Sequence, residues 1–131
     1  MHAEHSTRRS EFVAFVTELI SFVDGLRIKA MFGGYGLYQG DRMFAIILHD
    51  RLYFKTDAIS RGEFAAKGLQ PFTYTARGKD VTLSYFEAPT EVYDEQEAMA
   101  CWVHKALAAA GRAATIRKQP KTARRQQSDP L

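Results

Sequence analysis

Early in the chain Phe12, Val13, Phe15, Val16, Leu19, Ile20 and Val23 recur at three- and four-residue spacing. That period predicts an amphipathic helix, with Arg8, Arg9, Glu11, Thr17 and Glu18 mainly off its apolar stripe. Gly25, directly after Asp24, is suited to end it. The pattern then changes. Residues 31–56, MFGGYGLYQGDRMFAIILHDRLYFKT, hold three runs of apolar and aromatic residues separated by polar turns at 39–42 and 49–51. Such runs predict a β-meander, with strands over 31–38, 43–48 and 52–56 and with 27–30 as a lead-in. The middle run, Met43 to Leu48, is apolar at both parities. A strand with one wet face alternates, so this one is expected to be covered on both faces, and Ile46→Asp is expected to unfold the domain.

After the meander, Ser60 and Glu63 fit a capping box, opening a short helix that runs to Lys67 and stops at Gly68. Pro71 precedes a fourth strand over 72–76, in which Phe72, Tyr74 and Ala76 alternate with Thr73 and Thr75. A turn at 77–80 leads to a fifth strand over 81–87. Asp94 and Glu97 resemble a second capping box. The long helix that follows is expected to reach about Ala110, with Ala98, Cys101, Trp102, Lys105, Ala106 and Ala109 on one side and Gly111 as its stop. The order α-β-β-β-α-β-β-α predicts a two-layer α+β domain with a mostly antiparallel five-stranded sheet. The expected organisation is one domain over 1–111 and a basic, disordered tail over 112–131.

Charge sharpens that division. Residues 1–110 hold 12 Lys/Arg against 14 Asp/Glu, a balance of −2. Residues 111–131 hold Arg112, Arg117, Lys118, Lys121, Arg124 and Arg125 against Asp129, a balance of +5. These six cations are the candidate nucleic-acid contacts, and they suit weak, nonspecific binding. The longest apolar runs are six residues, too short to span a membrane. A lone cysteine, Cys101, forms no intrachain disulfide; with no charged-then-apolar leader, this points to the cytoplasm.

Catalytic and metal readings are weak. Gly33-Gly34-Tyr35-Gly36 fits no phosphate-loop pattern, and glycine within a strand marks a bulge or a close backbone approach. His49 and Asp50 read as a polar turn and Asp57 as a helix-start residue. Cys101 and His104 provide two ligands where zinc needs more, so Cys101 is expected to be a small buried hydrophobe, and no metal or cofactor is expected. Ten strand aromatics suit a core and a partner interface better than base stacking, because few cations interleave with them. Gly34, Tyr35, Gly36, Lys55, Tyr74 and Tyr85 are therefore the candidate ligand- or partner-binding residues. A central strand apolar at both parities also predicts a homodimer, since three helices leave part of the sheet uncovered.

The segments MFGGYGLYQG and MFAIILHDRLYFKTD, then PFTY, SYFEAP and a late WV, occur in an order that resembles the TfoX/Sxy amino-terminal domain across about residues 27–110. The resemblance implies a secretion-chaperone-like two-layer fold without enzyme activity. It also implies positive regulation of natural competence together with a cyclic-AMP receptor protein at promoters. Full-length members continue into a helical carboxy-terminal domain, where this chain has its basic tail. The leading expectation is a non-enzymatic regulatory domain whose protein partner belongs to the transcription machinery. The alternatives are a nucleic-acid-associated protein acting through the tail and a small-ligand-binding domain using the space beside Gly34 and Gly36.

Overall fold

The computed structural model describes residues 2–31 and 33–118, with side chains over 11–31 and 33–116. In chain order come α1 (His2–Leu19), β1 (Leu26–Met31), β2 (Gly34–Gln39), β3 (Arg42–Leu48) and β4 (Arg51–Lys55). Then follow α2 (Arg61–Ala66), β5 (Pro71–Ala76), β6 (Lys79–Glu87), a 3₁₀ turn at Thr90–Tyr93, and α3 (Gln96–Lys118). The six strands form one antiparallel sheet in the order β1-β2-β3-β4-β6-β5. The α+β class is as expected, with six strands in place of five. The additional strand is β1, which pairs with β2 from Leu26↔Gln39 to Met31↔Gly34. Its signal was a two-residue alternation of Leu26, Ile28 and Ala30 with the charged Arg27 and Lys29.

Turn chemistry fixes the hairpins. His49 and Asp50 have φ of 52° and 58°, and Arg77 and Gly78 have φ of 54° and 77°. Two consecutive residues with positive φ make the tight turn whose twist matches that of the flanking strands. His49 and Asp50 are therefore turn residues, as their polarity suggested.

A bulge explains the apolar run in β3. Leu37 lies opposite Ala45 while Tyr38 lies opposite Met43, so Phe44 is an extra residue in its strand. Phe44 and Ala45 are both 0% exposed, because a bulge can turn successive side chains towards one face. The bulge accounts for that adjacent pair only. Met43, Ile46 and Leu48, equally apolar, lie on the face that the described helices leave open, so the expected cover on both faces is not supplied within the described residues. Leu37, Ala45, Ile47, Leu52 and Phe54 belong to the core with the helices. Ile46, paired with Gly36 and Tyr53, lies on the opposite face and is only half-buried. Unfolding is therefore the expected effect of a charge at Ala45 rather than at Ile46.

The helices lie on one side. Val16 from α1, Ile20 from the turn after it, Phe64 from α2, and Met99, Val103, Ala106 and Ala110 from α3 complete the core. Phe64 anchors it, with ring centroids 4.8 Å from Trp102, 5.7 Å from Phe86 and 6.4 Å from Phe54. The phase of α3 differs from the expected one. Its buried stripe runs through Met99, Trp102, Val103, Ala106, Ala109, Ala110 and Ala114, and Cys101 is exposed rather than a buried hydrophobe.

Three element ends also differ. The first helix stops at Leu19, and Ile20 and Val23 stay buried in the turns that follow. Gly111 does not stop α3, which continues to Lys118 because Ala114 packs inside and Arg112 is tied to Asp57. The expected disorder of the tail beyond residue 118, with Lys121, Arg124 and Arg125, lies outside the described residues. At α2 the capping box is absent, since Ser60 makes no side-chain cap bond. Asp57 takes that role, with Oδ1 accepting from the Ile59 N–H at 3.1 Å and the Ser60 N–H at 3.0 Å. Glu63 instead reaches α3, 2.8 Å from the Lys105 ammonium.

Candidate functional site

The face of the sheet opposite the helices is left uncovered by the other described elements. Met31, Met43, Ile46, Leu48, Tyr53 and Phe72 are all half-buried, and none belongs to the core cluster or its packed periphery. Tyr53 meets Phe72 edge-on at 5.1 Å, and Phe72 lies 6.1 Å from Tyr74, which is 43% exposed. Apolar side chains are spread from β1 to β5 across this face, and the register places Lys29, the Arg51–Glu87 ion pair and Lys55 among them.

Strand alternation splits the candidates of β2. Gly34 and Gly36 belong to the open face, and Tyr35 packs against the core from the helix side. The space beside the glycines is already filled. A Cβ at Gly34 would lie 2.2 Å from the Ile47 carbonyl oxygen and 2.9 Å from Leu48 Cδ1. At Gly36 it would meet Met31 Sδ at 2.6 Å and Met43 Sδ at 2.8 Å. The first clash is with backbone, and the second is with the ends of two flexible side chains. Gly34→Ala should therefore cost about 1–3 kcal/mol, or about 4–12 °C in melting temperature, and Gly36→Ala clearly less. Equal losses in thermal denaturation would contradict this geometry.

Lys55 and Tyr85 do come together. They are register partners, the ammonium lies 5.1 Å from the ring centroid, and it donates to Ser84 Oγ at 3.0 Å. With Tyr38, Met43, Ala110 and Ala113 they line a hollow of about 180 Å³ at the end of α3. Tyr74 stands apart on the edge strand β5. The six candidates therefore form no single pocket.

Sequence spacing gave no sign of the pair between Asp57 and Arg112, 55 positions apart. The guanidinium donates through Nε to Oδ2 at 2.5 Å and through Nη2 to Oδ1 at 3.1 Å. Arg112, one of the six cations assigned to the tail, is thus engaged with the folded body; the side chains of Arg117 and Lys118 lie outside the described residues. The Arg112 hydrogen bond, aided by the Ser60 N–H, holds the Asp57 carboxyl at a pKa of about 2, and the Arg112 pKa rises in turn. A carboxylate whose folded pKa lies below its unfolded value stabilises the fold above that unfolded value and ceases to do so as pH falls through the folded one. Asp57 should therefore contribute about 1–2 kcal/mol at neutral pH, lost between about pH 4 and pH 2. Asp57→Asn should remove this part of the acid dependence in urea titrations, and an unchanged dependence would refute the assignment.

Among the described residues no three His, Cys, Asp or Glu side chains gather as metal ligands. Nor is any described helix long and apolar enough to cross a membrane.

Comparison with known proteins adds what geometry leaves open. DNA transformation protein TfoX1 of Aliivibrio fischeri is 30% identical over 95 residues, 72% of this chain and 43% of that protein. The chain thus spans less than half the length of this relative. The profile of the TfoX N-terminal domain matches residues 18–110, from the end of α1 through the buried part of α3. The chain belongs to the TfoX N-terminal domain family.

Proposed function

We propose that this chain is a non-enzymatic, cytoplasmic regulatory domain that acts by protein–protein contact in the control of competence for DNA uptake. The open apolar face of the sheet carries this reading, because it offers a broad docking surface rather than a cleft with convergent reactive groups. Family membership and the name of the Aliivibrio relative support the link to transformation. Two copies pair through this face about a two-fold axis, the commonest arrangement of soluble oligomers, and the regulatory partner is a protein of the transcription machinery. Replacing the gene in the source organism by one encoding Ile46→Asp should lower natural transformation to the level of a deletion, with the protein still present at its normal level. Unchanged transformation in the deletion strain would overturn the competence role.

The charge division favours a second, accessory activity. Five tail cations remain when Arg112 is engaged with Asp57. Duplex binding through them should be weak, with log K falling against log salt at a slope of at most about −4.5, from about 0.9 per neutralised phosphate. Truncation after Lys118 removes three of the five and keeps α3 whole, so it should lower the slope by more than half. An unchanged slope in a filter-binding titration would assign the contacts to the folded body.

A further inference from the structure

The sheet contains an unfilled position. β6 is nine residues long and its neighbour β4 is five. They pair only from Tyr53↔Glu87 to Lys55↔Tyr85, and the Thr56 N–H then donates to the Ser84 carbonyl at 2.8 Å. On the same side, the Ala88 N–H donates to the Leu52 carbonyl at 2.9 Å, while the Glu87 N–H turns to Gln70 beside β5. Backbone groups of successive residues in such a strand point to alternate sides. Ser84 and Ala88 therefore face β4. Beyond the register shift between β5 and β6, the two-residue turn at Arg77 and Gly78 directs Lys79 and Val81 towards Ala76 and Tyr74 of β5. That leaves Asp80 and Thr82 directing N–H and C=O to where β4 would have continued.

The chain has turned away at that point, because Asp57 is held by Arg112 and by the Ile59 and Ser60 amides. A cleft of about 340 Å³ adjoins the place, running from Thr56 and Arg61 across the face of β6, past Thr82, Leu83 and Phe86, to Pro71 of β5. Thr56 is 1% exposed, and its hydroxyl has no hydrogen-bond partner among the described residues. Buried hydroxyls are nearly always partnered, so an orphan beside an open strand edge suggests a missing occupant.

We propose that this slot receives an extended, acidic peptide segment of a partner protein, which continues the line of β4 and pairs with Thr82 of β6. Main-chain hydrogen bonds supply affinity in this mode, and alternate side chains supply specificity. Pro71 and Phe86 offer an apolar seat for one side chain of the peptide. Charge selects its acidic character. Asp57 is paired with Arg112. Arg61 and Lys79, which have no ion pair among the described residues, outnumber Asp80, whose charge persists while it accepts from Thr75 Oγ1 at 3.0 Å, so one positive charge is left in excess. The same cations disfavour the chain's own basic tail. They also disfavour the β1 edge of a second copy, which brings Arg27 and Lys29.

The inference deepens the regulatory reading by naming the partner's chemistry, and it uses a surface separate from the open face. The probe is a fluorescein-labelled, end-blocked hexapeptide, Glu-Val-Thr-Val-Glu-Val. Its anisotropy should rise saturably with the full chain, and the Thr82 and Thr56 amide signals should move in ¹H–¹⁵N spectra. Arg61→Glu should weaken binding about tenfold without lowering the melting temperature. N-methylation of alternate peptide amides should weaken it at least about tenfold, because it removes main-chain donors. Ile46→Asp should bind the peptide normally, so failure of the open-face reading would leave this result standing. Absence of binding at millimolar peptide would overturn the proposal, as would equal binding of the N-methylated form or an unmoved Thr82 amide. Protection of the Thr82 amide in a peptide-free dimer would place a second copy in the slot and overturn it equally.

Discussion

Phe54→Ala should remove about 3–5 kcal/mol of stability, a large share of the roughly 5–15 kcal/mol that holds a domain of this kind together. Phe54 is 0% exposed and sits opposite Phe86 in the register of β4 and β6. Its ring packs on Phe64, which in turn meets Phe86 and Trp102. One side chain therefore links the sheet to α2 and, through Phe64, to α3. Its neighbours are themselves aromatic rings held by strands and helices, so the cavity collapses little and the cost stays near the upper end. Urea denaturation of the variant should show a midpoint shift of this size, with a partly unfolded population in water if the wild type is only marginally stable. A loss below about 1 kcal/mol would mean that this aromatic cluster is not the centre of the core.

Ile46→Asp should do the opposite: leave the fold intact and separate the protomers. In the isolated chain Ile46 is half-buried on the open face, where a carboxylate can still reach water. In a dimer through that face the same carboxylate would be buried without a partner, at about 3–5 kcal/mol, or roughly 10²–10⁴ in dissociation constant. Sedimentation velocity at micromolar concentration should show a dimer for the wild type and a monomer for Ile46→Asp, with melting temperatures within a few degrees once compared as monomers. The neighbouring change Ala45→Asp places its charge in the core and should give no folded protein. An Ile46→Asp variant that unfolds like Ala45→Asp would place Ile46 in the core after all.

That contrast between two adjacent residues shows where sequence reading reaches its limit. The meander, the hairpin at His49 and Asp50, both later strands and the helix order were legible, because period and turn residues carry them. What the sequence hid was register. Residues 43–48 are apolar throughout, and only the extra residue in β3 decides that Phe44 and Ala45 turn inward together while Ile46 turns out. β1 was legible in principle, but Arg27 and Lys29 lowered its apolar content below that of its neighbours. On α3, eight alanines give little contrast between faces. Trp102 alone was a weak guide, and the true stripe through Met99 and Val103 leaves Cys101 in solvent. Gly111 looked like a stop because the contact that continues the helix, Arg112 to Asp57, comes from 55 positions away.

The candidate site was legible only in part. Glycines at 34 and 36 signalled close approach, and the neighbours that approach are Ile47, Leu48, Met31 and Met43 rather than a ligand. That part of the sheet stays uncovered was legible from the apolar central strand and the small number of helices, but which residues face outward, and the slot beside β6, were not. Both follow from strand order and strand length, which depend on pairings between distant segments.

The methionines offer the sharpest view of the open face. Met31 and Met43 are half-buried on it, and Met99 is 0% exposed in the core. With methyl-labelled protein and a soluble paramagnetic agent, relaxation of the Met31 and Met43 methyl groups should be fast in dilute solution. It should fall as the concentration rises and the faces close on each other, while Met99 stays protected throughout. Met31 and Met43 relaxing at the same rate at every concentration would contradict docking through the open face.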